Sequence, residues 1–314
     1  MANKRIHQAA GADTLLVELL TEELPPKALR EESESFGWGL RMKLQNERFV
    51  APVDSESGVD TKPVIYATPR RIAVLIANVQ AHSKDLEREV HGPSVNAPAQ
   101  AVEAFARKCG VAVEALKKQQ TPKGEVYVAS MRTGGSALDS VLASAVESTL
   151  KALPVPKMMR WGNGEARFVR PVHGLVMLHG SRVIPGEVLG ASSSNKTLGH
   201  RFLSGSAITL KHAGDYESAL GNKGKIIAGF AGRRMEISKQ LEKAAGGAML
   251  VADNALLDEI TAIVEAPTAY AGQFSPEFLT VPEECLILSM QQHQKYVPLR
   301  DKKTGGLLPR FLVV

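Results

Sequence analysis

Cysteine is nearly absent from this sequence. Only Cys109 and Cys285 occur in 314 residues, which excludes a disulfide framework and a cysteine zinc site and makes a reducing cytosol the natural setting. Long apolar runs are missing too: the run at 14–20 is broken by Glu18, and the basic opening "MANKRIHQAAGAD" has no apolar stretch behind it. Neither a membrane span nor a signal peptide is therefore expected.

Several chemical signatures are also lacking. No phosphate-binding G-x-x-x-x-G-K-[ST] is present, and "GNKGKIIAG" lacks the hydroxyl residue and the spacing. "GNGEAR" at 162–167 carries Gly162, Gly164 and Arg167 but meets Pro171 where an apolar helix should follow, so it is read as a turn. His173 and His179 have no carboxylate or thiolate partner at ligand spacing and read as ordinary polar or core histidines. No Ser/His/Asp or Cys/His arrangement has a local signature, and Cys109 reads as structural.

What is present is an ordinary globular composition, with 44% hydrophobic and 23% charged residues and a net charge of +5. That excess of cations permits a polyanionic partner without requiring one. "TLLVELL" at 14–20 predicts a strand. The segment from Pro25 and Pro26 to Phe49 predicts a helix whose Leu29, Phe36, Leu40 and Leu44 form one stripe, weakened by Gly37 and Gly39. "VIYATPRRIAVLIANV" predicts two strands joined by "TPRR", "APAQAVEAFARKCGV" a helix ended by Gly110, and "GEVYVASMRTG" a strand. "SALDSVLASAVESTLKAL" predicts a helix capped by Ser136. Residues 157–210 read as strands, and 214–264 as helices. Within a helix over 225–243, Ile226, Phe230, Ile237 and Leu241 share a stripe. No repeat is found, and the irregular mixture points to an α+β fold, with a flexible tail over 1–13, one α+β lobe over 14–156 and a second over 157–314.

Basic residues recur beside turns: Arg70 and Arg71, then Lys157, Arg160, Arg167 and Arg170, then His200 and Arg201, and Arg233 and Arg234 on the helix. Such groups suit phosphate contacts, and Trp161, Phe168 and Phe202 could stack on bases. Alternatively, they are salt-bridged residues lying along apolar surface. "SMQQHQKYVPLRD" at 289–301 adds His293, Lys295 and Arg300, with three readings open: an internal hydrogen-bonding role for His293 and Tyr296, an RNA or subunit contact through Lys295 and Arg300, or catalysis.

Seven stretches in order, "LLVELLTEELPPKAL", "ATPRRIAVLIANV", "HGPS" before "FARKCGV", "KMMRWGNGEARFVRPVHGLVML", "TLGHRFL", "LLDEITAIVEAPTAY" and "LILSMQQHQKYVPLRD", together resemble the beta subunit of the bacterial two-subunit glycyl-tRNA synthetase. The chain departs from that pattern at Leu20, where a glycine is expected, and at Gly174 and Ala266, where an aromatic residue is usual; these read as packing variation.

The resemblance implies a fold like the B3/B4 module of phenylalanyl-tRNA synthetase beta chains, with HD-like and anticodon-binding domains beyond 314 and a natural chain that continues past Val314. It implies a cytoplasmic heterotetrameric ligase in which the alpha subunit binds ATP and Mg and makes the adenylate. This region would then hold no cofactor, metal or catalytic residue of its own, and would contact tRNA(Gly), the alpha subunit or both. A purely structural scaffold and an editing-type hydrolase remain as alternatives.

Overall fold

The computed structural model describes residues 11–53, 60–122, 124–155 and 157–314. Strand β1 (Ala12–Thr21) leads to helix α1 (Leu29–Asn46), the hairpin β2 (Val64–Thr68) and β3 (Arg71–Gln80), strand β4 (Leu86–Ser94), helix α2 (Ala99–Cys109), the hairpin β5 (Lys117–Thr121) and β6 (Gly124–Thr133), and helix α3 (Leu138–Lys151). Next come the short β7 (Met159–Arg160) and β8 (Arg167–Phe168), then β9 (Val172–His179), β10 (Arg182–Val183), β11 (Glu187–Val188), β12 (Ala191–Ser194), β13 (Lys196–Leu198) and β14 (Ala207–Thr209). Helices α4 (Tyr216–Asn222), α5 (Phe230–Ala245) and α6 (Asn254–Ile263) follow, with β15 (Met249–Leu250) before α6. The chain closes with β16 (Tyr270–Gln273), α7 (Glu283–Leu288), β17 (Val297–Arg300) and β18 (Leu307–Val313). This is the expected α+β mixture.

The main sheet has the order β11-β12-β9-β1-β3-β2, with β10 added beside β9. Because β1 is central and covered on both faces, its side chains from Leu15 to Thr21 are all buried, which is why the strand reads as a nearly continuous apolar run. Leu15, Val17 and Leu19 point to one core, shared with the Leu29, Phe36, Leu40 and Leu44 stripe of α1 and with Leu142 and Val146 of α3. Leu16 points to the other, shared with Tyr66, Val176, Tyr216 and Leu220. A third core lies where Ile237 and Leu241 of α5 and Ile260 of α6 meet Val297, Leu299 and Leu312 of the sheet β15-β17-β18-β16.

β9 pairs with β1 from Leu15↔His179 to Thr21↔Val172, so the sheet runs across the boundary expected at 156/157. The two departures on these strands meet: Leu20 lies directly opposite Gly174, and a Cβ on Gly174 would sit 3.2 Å from the Leu20 Cδ1. A large side chain on one strand thus faces the small residue on the next, conserving volume at the contact.

Gly37 also has a packing reason. A Cβ there would lie 2.6 Å from Ile65 Cγ1, so the glycine lets α1 approach the sheet. Two local expectations are corrected. Ser136 does not cap α3: the helix starts after Ala137, which is its N-cap, with no side-chain cap, and the Ser136 backbone N–H separately donates to Ser83 Oγ at 2.9 Å. Helix α5 starts at Phe230, leaving Ile226 in the preceding segment, where it packs against the core behind Leu16. Among the described residues no helix is long and apolar enough to cross a membrane.

Candidate nucleic-acid interface

Glu18, the charged residue inside β1, has its side chain on the same face as Leu16, where the cross-strand register also brings Arg71. Its Oε1 accepts from Arg71 Nη1 at 2.9 Å, Thr197 Oγ1 at 2.9 Å and Tyr216 OH at 2.6 Å. Arg71 is 1% exposed and spends its other donors on Thr68 Oγ1 and on the Leu198 carbonyl at 2.8 Å. Thr68 in turn donates to Glu265 Oε1 at 2.6 Å. Burial works against the charged guanidinium, but Glu18, Tyr216 and Glu265 outweigh it and hold the Arg71 pKa above the ordinary value. Burial, with Glu18 beside it, pushes the Tyr216 hydroxyl well up, so it remains a donor.

Arg233 is likewise enclosed, at 0% exposure. It donates to the carbonyls of Thr261, Ile227, Ala228 and Ala67, binding the start of α5 to α6 and β2. Burial lowers its pKa to about 10 despite the opposing pull of Glu265. Arg71 and Arg233 are corrected as contact candidates: a guanidinium sealed by protein carbonyls and carboxylates has no face left for a phosphate.

The surface directly above this network is different. At the end of β1, Glu22 accepts from His173 Nε2 at 2.9 Å and lies 3.6 Å from Arg201 Nη2. Arg170 Nε donates to the Glu23 carbonyl at 2.9 Å, and the Arg70 carbonyl accepts from the Thr21 N–H at 2.9 Å. The buried Arg70 Nε has no hydrogen-bond partner among the described residues. His173 and Arg201, both exposed, thus meet at Glu22, which offsets part of their charge, while Arg70 and Arg170 lie half-buried beside Thr21 and Glu23, with Arg170 bonded to the Glu23 and Val169 carbonyls. His200 caps the adjoining turn, its Nδ1 accepting from the N–H groups of Phe202 and Leu203. Of the three rings read as stacking surfaces, Phe168 is buried and Trp161 packs against the core, whereas Phe202 is 85% exposed.

The remaining candidates are dispersed. Arg160 pairs with Glu165 in the hairpin of β7 and β8, Arg167 is exposed in the same hairpin, and Lys157 is exposed just before it. Arg234 donates to Asp258 and Asn254, beside a cavity of about 700 Å³ lined also by Arg30, Trp38 and Phe230. In the 289–301 stretch a π-helical turn (Ser289–His293) carries the exposed His293. Lys295 reaches Glu259 at 2.9 Å and the Gln292 carbonyl, Tyr296 stacks on Phe311 at 4.4 Å, and Arg300 pairs with Glu283 and the Gly305 carbonyl. Among the described residues no group of three or more His, Cys, Asp or Glu is placed to hold a metal ion.

A family model described as glycyl-tRNA synthetase beta subunit matches residues 15–314. The chain belongs to this family. Similar curated proteins include the glycine–tRNA ligase beta subunits of Neisseria meningitidis, 43% identical over 309 residues, and of Aromatoleum aromaticum, 44% identical over 313 residues; each alignment covers 96% of this chain and 44% of the relative. That of Hahella chejuensis is 40% identical over 308 residues, covering 95% of this chain and 43% of the relative. The chain therefore spans less than half the length of these relatives.

Within the family assignment, sequence reasoning missed the partners that separate sealed arginines from open ones: Glu18, Thr197, Tyr216 and Glu265. One signal was available. An acidic residue inside an otherwise apolar central strand requires a buried cation or donors, and Glu18 is such a residue.

Proposed function

We propose that this chain is the non-catalytic N-terminal region of the beta subunit of glycine–tRNA ligase, and that it supports ATP-dependent glycyl-tRNA formation by contacting tRNA(Gly), the alpha subunit or both. The observation that carries this reading is the pair His173 and Arg201, exposed around Glu22 with the half-buried Arg70 and Arg170 behind them, in a chain matched by the family along 15–314. Guanidinium and imidazole groups at a surface suit the phosphates of an RNA backbone, which position a partner without reading its sequence. The α+β build is in keeping with a B3/B4-like module. HD-like and anticodon-binding domains would follow residue 314 in the complete, cytoplasmic heterotetramer. ATP and Mg would be used by the alpha subunit.

The test uses the 314-residue chain, its alpha subunit and tRNA(Gly). The chain alone is expected to make no glycyl-tRNA with ATP, and to bind tRNA with an affinity that falls linearly with salt on logarithmic axes, or to co-purify with the alpha subunit. Robust synthesis without the alpha subunit, or a folded chain that binds neither partner, would overturn the reading.

A further inference from the structure

We propose that Phe202 is a stacking platform for an unpaired base of RNA, held out by a preorganised loop between β13 and β14. This rests on the reading that the chain contacts tRNA, and it names the group that would meet an unpaired nucleotide.

Exposed apolar side chains are unremarkable on a protein surface, and Leu198 and Leu203 of the same loop are exposed beside Phe202. Phe202 differs in how it is held. The loop is tied at its root, where Arg71 Nη2 donates to the Leu198 carbonyl at 2.8 Å and Leu198 pairs with Ala207. The His200 N–H donates to the Gly224 carbonyl at 2.8 Å, and the Ser204 N–H to the His200 carbonyl at 3.0 Å. Across the tip, His200 Nδ1 accepts from the Phe202 and Leu203 N–H groups at 3.2 and 3.3 Å, which requires a neutral ring bearing its proton on Nε2. Gly199 lets the strand fold this tightly, since a Cβ there would lie 2.4 Å from Ser204 Oγ and 2.6 Å from Gly224 Cα. The loop backbone is thus fixed while the phenyl ring stands in water.

The surroundings select the occupant. The His200 ring is tilted 56° to Phe202 with centroids 6.1 Å apart, so it does not cover the phenyl face. Arg201 is the neighbouring residue in the loop, and through Glu22 it is joined to the exposed His173. An open aromatic face beside cations on a fixed backbone is the combination by which proteins hold single-stranded nucleic acid: the ring stacks on the base and the cations follow the phosphates. A purely apolar protein contact would have no use for the cations, and a duplex would offer the ring no exposed base face.

The experiment compares wild type, Phe202→Ala and Phe202→Trp for binding to an RNA hairpin with a single-stranded 3′ tail carrying 2-aminopurine, to the same hairpin made blunt, and to the alpha subunit. Phe202→Ala should weaken tailed-hairpin binding by about 5- to 150-fold, with the salt slope unchanged. It should leave the blunt hairpin unaffected, while Phe202→Trp retains affinity and quenches the 2-aminopurine. Wild-type binding with no loss in Phe202→Ala would overturn this inference while leaving the tRNA reading intact. Loss of alpha-subunit binding alone would reassign the loop to a protein contact. Absence of all RNA binding by the wild type would remove the tRNA reading and this inference with it.

Discussion

Arg71 and Arg201 serve the same loop from opposite ends. Arg71 holds its root from inside, 1% exposed and bonded to Glu18, while Arg201 lies in it with its side chain 47% exposed and 3.6 Å from Glu22. Each faces a carboxylate, yet the two pairs differ in what surrounds them. Water around Arg201 screens the attraction and can replace either partner, so the pair adds little to stability and leaves the cation available. Protein around Arg71 excludes water, so each partner depends on the other. The pair inside fixes the loop; the residue outside is free to meet a ligand.

The largest effect should come from breaking the inner pair. Arg71→Met leaves the Glu18 carboxylate buried without its cation and is expected to cost about 3–5 kcal/mol in urea unfolding. Adding Glu18→Gln should restore part of the loss, because the two positions are coupled. An Arg71→Met loss no larger than that of Arg201→Ala would end the comparison.

Glu32 sharpens it, being a carboxylate that is 0% exposed and has no hydrogen-bond partner for either oxygen among the described residues. Burial raises its pKa, against the opposing effect of Arg170. A carboxyl whose folded pKa lies above its unfolded value binds protons more tightly when folded, so its contribution to stability falls as pH rises through that window. Glu32→Met should therefore stabilise the chain by on the order of 1–3 kcal/mol near pH 7 and by less near pH 4. Melting temperatures of both proteins across that range check the sign, and a difference independent of pH would contradict it.

The smallest effect on stability belongs to the outer pair. Arg201→Ala should change unfolding by under about 0.5 kcal/mol while reducing the salt slope of tRNA binding by about 0.7–0.9, the loss of one phosphate contact. An unchanged slope at reduced affinity would show that Arg201 acts without meeting a phosphate.

Much of the fold was legible because its cause is local. Leu29, Phe36, Leu40 and Leu44 recur at helical spacing and all are buried, and the strands joined by "TPRR" form the expected hairpin. Gly110 ends α2 in the left-handed conformation with φ of 70°. The 289–301 stretch was legible only as three alternatives. Its Tyr296 is stacked on Phe311 and its Lys295 and Arg300 are paired with acidic residues, while His293 remains at the surface. The Ser136 cap was misread because the helix begins one residue later than the serine's position requires, with Ala137 at its N-cap.

The sequence by itself determined the periodicities, the turns and the family, since these depend on residues close in the chain or on many positions in order. Only the tertiary structure decided which arginines are sealed and which are open. Arg70 and Arg71 are neighbours in the chain, and nothing in their spacing separates them. Arg70 lies in the turn itself while Arg71 opens β3, and Glu18, Thr197, Tyr216 and Glu265 close over Arg71 from distant parts of the chain. A charge keeps its hydration or loses it according to that closure, and closure is a property of the fold.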